Sequence, residues 1–316
     1  MIFPEITEET KRVKAHLLGE IKGAKTGPII IAMGGAHGNE ETGVTVIQQV
    51  LEMLTPLEKE IKGRFIGIKG NISALQKKER FISEDMNRLW KASILDKIRR
   101  TPYDQLTSPD RAEIKDLLQI LDPIVLSENG AEVIFIDLHT FSGEGGMFCI
   151  TPRKERNIEV LSPLNIPLIF GIEQALQGTS MEYLNEAGHI GIAFETGTHG
   201  TEQAEKNALA GLLVLLTSAG LIASTEIPGF DTYYAYLMAK VENFPHKVEY
   251  VYKHIIEDGD EFVMKSDFKN FDIIRKGDLL AEDKNGEIRA LVDGYLLMPL
   301  YQKQGNDGFF IIRACK

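Results

Sequence analysis

The stretch PIIIAMGGAHGNE, at residues 28–40, decides the expected fold. Its first half, from Pro28 to Met33, is short, apolar and β-branched, and it stops at two glycines. This pattern is typical of a buried strand that opens into a loop. The residues from Gly43 to Leu54 then have a helical pattern. A buried strand followed by a helix is the repeating unit of a parallel sheet with helices on both faces.

The same alternation continues over the first two thirds of the chain. Further strand-like runs lie at 64–69, 133–138, 166–170 and 190–194. The segment 201–219 carries Ala and Leu on a helical period and ends before a glycine, as an amphipathic helix does. The sequence therefore predicts an α/β fold with a mixed, mainly parallel sheet flanked by helices. Such sheets bind ligands at the carboxyl ends of their strands.

Two segments depart from this alternation. The polar, helix-prone residues from Ile94 to Leu126 are interpreted as an insertion over the sheet. After Ile227-Pro228-Gly229 the chain changes to short alternating runs separated by turn sequences such as KNGE. We therefore expect an α/β domain at 1–228 and a small β-rich C-terminal domain at 229–316, with its strands beginning at about Val241.

Composition limits the possible partners. The chain has 316 residues, with 35 Lys and Arg against 46 Asp and Glu, so its net charge is -11. A negative protein is poorly suited to phosphate backbones, which argues against nucleic acid. The first twenty residues are charged throughout and no apolar run approaches a membrane span. Two cysteines form no disulfide framework. We expect a cytoplasmic protein without membrane contacts, which could form a homo-oligomer.

The loop after the first strand places an imidazole and a carboxylate three residues apart, at His37 and Glu40. A catalytic zinc site has three protein ligands and an open position, and two His with one Glu is a common set. His139 ends the apolar run FIDLH in the same manner, so it is the best third ligand. The alternative is that His37 caps a turn and His139 is a polar residue at a strand end.

Two carboxylates support this interpretation. Asp137 lies two residues before His139 on the same side of its strand, where it can accept the other imidazole N–H. Its alternative is an ordinary strand-end carboxylate. Glu195 follows the apolar run GIAF, and burying its charge is costly unless it is paired or functional. We expect it to exchange a proton with the reacting groups; the alternative is a structural ion pair.

Between the ligand segments lies RFISEDMNRLW, at residues 80–90. Its two guanidinium groups are suited to holding a carboxylate or stabilising an oxyanion. Taken alone, such a segment is also typical of a solvated loop.

HGNE, RFISEDMNR, DLH and the glutamate after GIAF, in that order, resemble the succinylglutamate desuccinylase and aspartoacylase family, which is related to the zinc carboxypeptidases. The resemblance covers about residues 28–220. It implies one zinc ion per chain and a set of residue roles. His37, Glu40 and His139 would bind the metal, Glu195 would act as general base and acid, Arg80 would polarise the scissile carbonyl, Asn87 and Arg88 would hold a substrate carboxylate, and Asp85 would orient its neighbours.

The sequence also departs from the family. Aspartoacylases carry an Arg about ten residues before the catalytic Glu to hold a second substrate carboxylate, but EYLNEAGHIGIAFE, at 182–195, contains none. N-acetylaspartate is therefore a poor candidate substrate. His199 and Tyr295 are further candidates for substrate contact, with a loop cap and core packing as their respective alternatives. The family's second domain, which closes over the active-site channel, resembles the C-terminal segment here.

The function that follows is hydrolysis of the amide bond of an N-acyl amino acid by metal-activated water. Two alternatives remain open. The same site could act on a short peptide, as a carboxypeptidase or peptide amidase, or the chain could be a non-catalytic ligand-binding homologue. The complete set of ligands and catalytic carboxylate argues against the last.

Overall fold

The computed structural model describes residues 7–127, 130–241 and 244–315. The strands are β1 Leu17–Lys22, β2 Lys25–Gly34, β3 Lys62–Lys69, β4 Val133–Phe141, β5 Glu144–Gly145, β6 Phe148–Ile150, β7 Leu168–Phe170, β8 Ile190–Thr198, β9 Lys247–Ile255, β10 Val263–Met264, β11 Lys269–Asn270, β12 Ile273–Ile274, β13 Leu279–Asp283, β14 Gly286–Arg289, β15 Gly294–Leu297 and β16 Asp307–Ala314. The α-helices are α1 Glu8–His16, α2 Thr42–Leu54, α3 Ile72–Lys77, α4 Ala92–Arg100, α5 Pro109–Val125, α6 Glu155–Leu161, α7 Ser180–Glu186, α8 Glu202–Ser218 and α9 Phe230–Val241. Within these ranges no helix is both long and apolar enough to span a bilayer.

One large mixed sheet organises the molecule. Its strand order is β1-β3-β2-β4-β8-β6-β7-β9-β16-β15-β12. The central strands β3, β2, β4 and β8 are parallel to one another, whereas β1 and β6 run antiparallel to their neighbours in that group. The α/β fold with a mixed sheet flanked by helices, and the β-rich C-terminal segment, are thus confirmed.

The two faces of the sheet bury different sets of side chains. Along β4, Ile136 and Leu138 belong to a core cluster that includes residues of α2 and α8. Val133 and Phe135 alternate with them and pack with residues of α4 and α5. Because side chains alternate along a strand, Asp137 and His139 project on this second face.

The segment interpreted as an insertion is part of this second helical layer. Leu95, Ile98, Ile114 and Leu117 are buried in the same cluster as Ile31 of β2. The segment thus lies over the sheet, and it also supplies one face of the core. Its polar residues are those that an amphipathic helix exposes to solvent.

The C-terminal strands extend the main sheet. Strand β9 pairs in parallel with β7, and β16, β15 and β12 follow it by antiparallel pairing. Helix α9, which lies after residue 228, contributes the buried Leu237 to the core cluster of α2 and α8. A smaller sheet, β10-β13-β14, lies beyond. The division into domains at residue 228 stays a prediction, and the strands on both sides of it hydrogen-bond within one sheet.

Candidate active site

The carboxyl ends of three parallel strands bring the predicted chemical groups together. Strands β2 and β4 pair in register as far as Gly34 and Leu138, so His139 lies just beyond that pair and His37 in the loop after β2. In the β4–β8 pair, His139 and Glu195 are direct partners. Residues far apart in the chain therefore meet at one edge because parallel strands end together.

The loop after β2 needs glycine at two close approaches. A Cβ atom on Gly34 would lie 2.3 Å from the backbone carbon of Gly43, at the start of α2. A Cβ on Gly38 would lie 2.0 Å from the backbone carbon of Ala74 in α3. Neither contact can be relieved by moving a flexible side chain. The loop that carries His37 and Glu40 is thus held between two helices.

His37, Glu40 and His139 form a buried cluster suited to a metal ion. The Nδ1 atom of His37 lies 2.7 Å from Oε1 of Glu40, and Nδ1 of His139 lies 3.0 Å from its Oε2. One ligand atom from each of the three residues lies within 4.8 Å of the others. All three side chains are buried.

The outer ring nitrogens of both histidines contact carboxylates. His37 Nε2 lies 3.1 Å from Asp85 Oδ1, and His139 Nε2 lies 3.0 Å from Asp137 Oδ2. Carboxylates accept hydrogen bonds from N–H groups at these positions, which leaves both Nδ1 atoms directed toward Glu40, where their lone pairs can bind a metal. The donor set therefore fits a divalent metal.

The charges at the site point the same way. Burial disfavours ionised Glu40, but His37 and His139 outweigh it and hold the pKa of Glu40 well below its ordinary value. Burial likewise opposes protonation of His139, yet Asp137 and Glu40 raise its pKa well above the usual value. A positive charge is thus stabilised at this position, and a bound metal cation would supply it in place of the imidazole proton.

Glu195 differs from the ligand carboxylates. Its side chain is buried, and within the described part of the chain no hydrogen-bond partner contacts its Oε2. Burial, with the neighbouring Glu40 and Asp137, raises the pKa of Glu195 to about 8, although His139 and Arg80 oppose the shift. A carboxyl that gains and loses its proton near neutral pH is suited to general acid–base work. A bound cation would lower this pKa.

Asp110 holds the 80–90 loop in place. This fully buried side chain accepts hydrogen bonds from the backbone N–H groups of Ile82, Ser83 and Glu84 at 3.1, 2.8 and 3.0 Å, and from Asn71 Nδ2 at 2.7 Å. Asp110 lies in the first turn of α5, so the segment 94–126 contributes directly to the shape of the site.

The loop directs its polar side chains toward the cluster. Arg80 contacts Glu40 Oε1 at 3.5 Å and Asp85 Oδ2 at 3.3 Å. Asn87 Nδ2 lies 3.3 Å from His139 Nε2, while its Oδ1 accepts from the Ser180 backbone N–H at 3.0 Å.

Arg88 lines the cavity and also pairs with a residue of the C-terminal segment. Its Nη2 donates to Asp307 Oδ2 at 2.5 Å, across to the C-terminal segment. Asp307 lies in the turn-like sequence GNDG, so the sequence offered only a turn signal for it.

A cavity of about 100 Å³ adjoins the cluster. His37, Glu40, Arg80, Asn87, Arg88, Asp137, His139 and Glu195 line it. The C-terminal segment completes it with Met298, Pro299, Leu300, Gln302, Asp307 and Phe310. Residues 298–306, here called the β15–β16 loop, are braced against the site by hydrogen bonds from Asn39 Nδ2 to Gln302 Oε1 and from the Arg80 backbone to Gln304 Oε1.

Two predicted substrate contacts are not among the residues that line the cavity. Tyr295 pairs with Ile312 in the sheet and packs partly buried against the cluster of Phe271 and Phe310. His199 contacts two lining residues: its Nδ1 lies 2.7 Å from Thr140 Oγ1, and its ring hydrogen-bonds the Gln302 side chain. Substrate contact by Tyr295 and His199 stays a prediction.

Sequence reasoning missed several groups that the fold places at the site. Thr140 donates its backbone N–H to Glu40 Oε2 at 2.9 Å, and Ser180 donates its hydroxyl to Asp137 Oδ2 at 2.5 Å. Thr140 follows His139 directly, so adjacency was a usable signal. Nothing in the sequence around Ser180 or Gln302 indicated a role.

Known proteins are similar to this chain in sequence and in fold. The model of the succinylglutamate desuccinylase/aspartoacylase catalytic domain matches residues 26–218. A succinylglutamate desuccinylase of Erwinia tasmaniensis is 27% identical over 288 residues, covering 85% of this chain and 79% of that protein. One of Pseudomonas putida is 25% identical over 277 residues, covering 84% and 75%.

Solved structures agree on the fold. A succinylglutamate desuccinylase/aspartoacylase from Rhodobacter sphaeroides aligns with a TM-score of 0.68 at 16% identity, over 94% of this chain and 88% of that one. The product-bound ectoine utilization protein of Ruegeria pomeroyi aligns with a TM-score of 0.67 at 17% identity, over 93% and 87%. With the family match over more than half of its length, the chain belongs to the succinylglutamate desuccinylase/aspartoacylase family, a family of deacylases.

Proposed function

We propose that this protein is a zinc-dependent hydrolase that cleaves the amide bond of an N-acyl amino acid. The observation that carries the proposal is the convergence of His37, Glu40 and His139 beside Glu195. Among the described residues, the Oε2 atom of Glu195 has no hydrogen-bond partner. Two imidazoles and one carboxylate are the ligands of several catalytic zinc sites. Zinc bound there would activate water as a nucleophile and stabilise negative charge on a carbonyl oxygen.

Glu195 would move the protons. It is the register partner of His139, so its carboxyl group lies at the same strand edge as the metal ligands. In its anionic form it takes a proton from the attacking water, and in its acid form it delivers that proton to the leaving nitrogen. The exchange converts a poor leaving group, an amide anion, into a neutral amine.

Arg80 and its loop would orient the substrate. Arg80 lies beside Glu40, where its guanidinium can stabilise an oxyanion formed at the carbonyl carbon. Asn87 and Arg88 would hold a substrate carboxylate, and Asp85 and Asp137 would keep the two histidine rings in place.

The shape of the cavity favours a small substrate. The cavity measures about 100 Å³ and the β15–β16 loop forms part of its wall, which favours a compact substrate. The similar proteins from Erwinia tasmaniensis and Pseudomonas putida are named for removing a succinyl group from an amino acid. An N-acyl amino acid is thus preferred to a peptide.

A substrate panel with zinc-loaded protein tests the proposal. N-acyl amino acids are compared with dipeptides, using wild type, Glu195→Gln, and the exposed control Glu186→Gln. We expect the wild type and control to hydrolyse at least one N-acyl amino acid, and Glu195→Gln to lose roughly 10²–10⁴-fold in kcat with its zinc retained.

Each alternative has its own outcome. Faster cleavage of dipeptides would favour the peptidase. Full zinc occupancy without turnover of any compound would favour a ligand-binding homologue. Near wild-type kcat in Glu195→Gln would remove Glu195 from the reaction.

A further inference from the structure

We infer that the cavity selects a substrate with a single carboxylate and an otherwise apolar amino-acid portion, and that Asp307 is the residue that excludes a second carboxylate. The inference rests on the proposed function, because it names the substrate class for that same site. It arises from the charges that the C-terminal segment brings to Arg88.

Asp307 lies between two cations. Its Oδ2 accepts from Arg88 Nη2 at 2.5 Å, and its Oδ1 forms an ion pair with Lys253 Nζ on strand β9. The three side chains are 26%, 16% and 10% exposed for Arg88, Asp307 and Lys253. Little water reaches them, so each charge must be compensated locally. Among these three side chains, one anion and two cations leave an excess of one positive charge, which matches one incoming carboxylate. Asp85 also acts on Arg88, but it is paired with Arg80.

Within the described part of the chain, the cavity wall offers no further unpaired cation for a second carboxylate. Among the described residues, the cationic arginines at the cavity wall are Arg80 and Arg88. Arg80 is already shared between Glu40 and Asp85. A second carboxylate would therefore lie beside Asp307 without a partner, and desolvating an unpaired charge is costly.

The rest of the wall is mainly apolar, and its polar members are Thr140, Ser142, Thr179 and Gln302. Leu176, Met181, Met298, Leu300 and Phe310 line the cavity, the last three from the C-terminal segment. A hydrocarbon or thioether group can displace water from such a surface, whereas an amide or carboxylate would lose its hydrogen bonds to water there.

The test compares three N-acetyl amino acids. N-acetyl-L-glutamate and N-acetyl-L-glutamine have nearly the same size and differ by one charge, and N-acetyl-L-methionine is their apolar counterpart. With zinc-loaded wild type we expect kcat/KM to be highest for the methionine compound, at least threefold lower for glutamine and at least tenfold lower than glutamine for glutamate.

Asp307→Asn is the diagnostic variant. It adds one unit of excess positive charge, so the glutamate-to-glutamine ratio of kcat/KM should rise at least tenfold. Asp258→Asn, at an exposed position of the same segment, removes the same charge away from the cavity and should leave the ratio unchanged. Lys253→Met removes a positive charge from the same cluster and should weaken affinity for the methionine compound at least fivefold. This variant tests the inference independently if Asp307→Asn does not fold.

Binding separates this inference from the proposed function. Affinities for the same three compounds are measured by calorimetry in a Glu195→Gln background, with and without the Asp307 and Lys253 changes. If the protein hydrolyses these compounds but Asp307→Asn changes the glutamate-to-glutamine ratio of kcat/KM by less than twofold, the inference alone is overturned. Selective binding that shifts as expected, without hydrolysis in otherwise wild-type protein, overturns the proposed function alone. If the protein shows no hydrolysis and no charge-dependent binding, both the inference and the proposed function are overturned.

Discussion

The metal-binding end of the cavity and its substrate end are built in different ways. At the first, His139 and Glu195 are register partners on two central parallel strands, and His37 follows a third strand. At the second, Asp307 and the β15–β16 loop come from a segment more than a hundred residues further along. In the proposed function, the reacting groups would thus lie at the centre of the sheet, and substrate selection would depend on the C-terminal segment.

The largest expected effect lies at the metal-binding end. His139→Ala removes one of three ligands, and zinc content should fall from about one per chain to a small fraction, with loss of activity. The exposed His246→Ala serves as the control. Elemental analysis after dialysis measures the result. Full zinc occupancy in His139→Ala would mean that the metal is held elsewhere.

A smaller effect is expected one contact further out. Asp137 accepts from His139 Nε2 and from the Ser180 hydroxyl, so Asp137→Asn should loosen the ring and weaken zinc affinity by about 10–100-fold. Competition with a chelator measures the change. An unaltered zinc affinity would show that the strand alone orients His139.

Asp110→Asn tests how far the loop depends on the second helical layer. Its carboxylate holds three backbone N–H groups of the 80–90 loop, and we expect a loss of about 2–3 kcal/mol in the free energy of unfolding together with a lower kcat/KM. Chemical denaturation and kinetics measure the two effects. The exposed Asp104→Asn is the control, and equal stability of both variants would contradict the assigned role.

The smallest effect is expected at the substrate end. Gln302→Ala removes the acceptor for Asn39 and loosens the β15–β16 loop. The loss of one hydrogen bond, about 0.5–1.5 kcal/mol, should raise KM roughly two- to tenfold with kcat and zinc content unchanged. The exposed Gln174→Ala should behave as wild type. A fall in zinc content would show that the two ends are not independent.

Much of the metal-binding end could be predicted because its signals are local. Apolar runs such as VIFIDL predicted strands, and the polar residue that ends each run marked the sheet edge. The substrate end had no such signal. Asp307 lies in a turn-like sequence and Lys253 in an alternating strand, and both residue types are ordinary in those places. The same limit applies to Tyr295, because an aromatic side chain fits a cavity wall and a core equally well and the sequence could not tell the two apart.

By itself, the sequence determined the α/β class, the family and the residues able to bind a metal, because strand periodicity and the order of short motifs are properties of the chain. The tertiary structure was needed to show that the C-terminal strands extend the main sheet, that Asp110 supports the 80–90 loop, and that Arg88 and Lys253 share the carboxylate of Asp307. The physical reason is that these contacts join segments far apart in the chain, and their energies depend on distance and burial rather than on neighbouring residues.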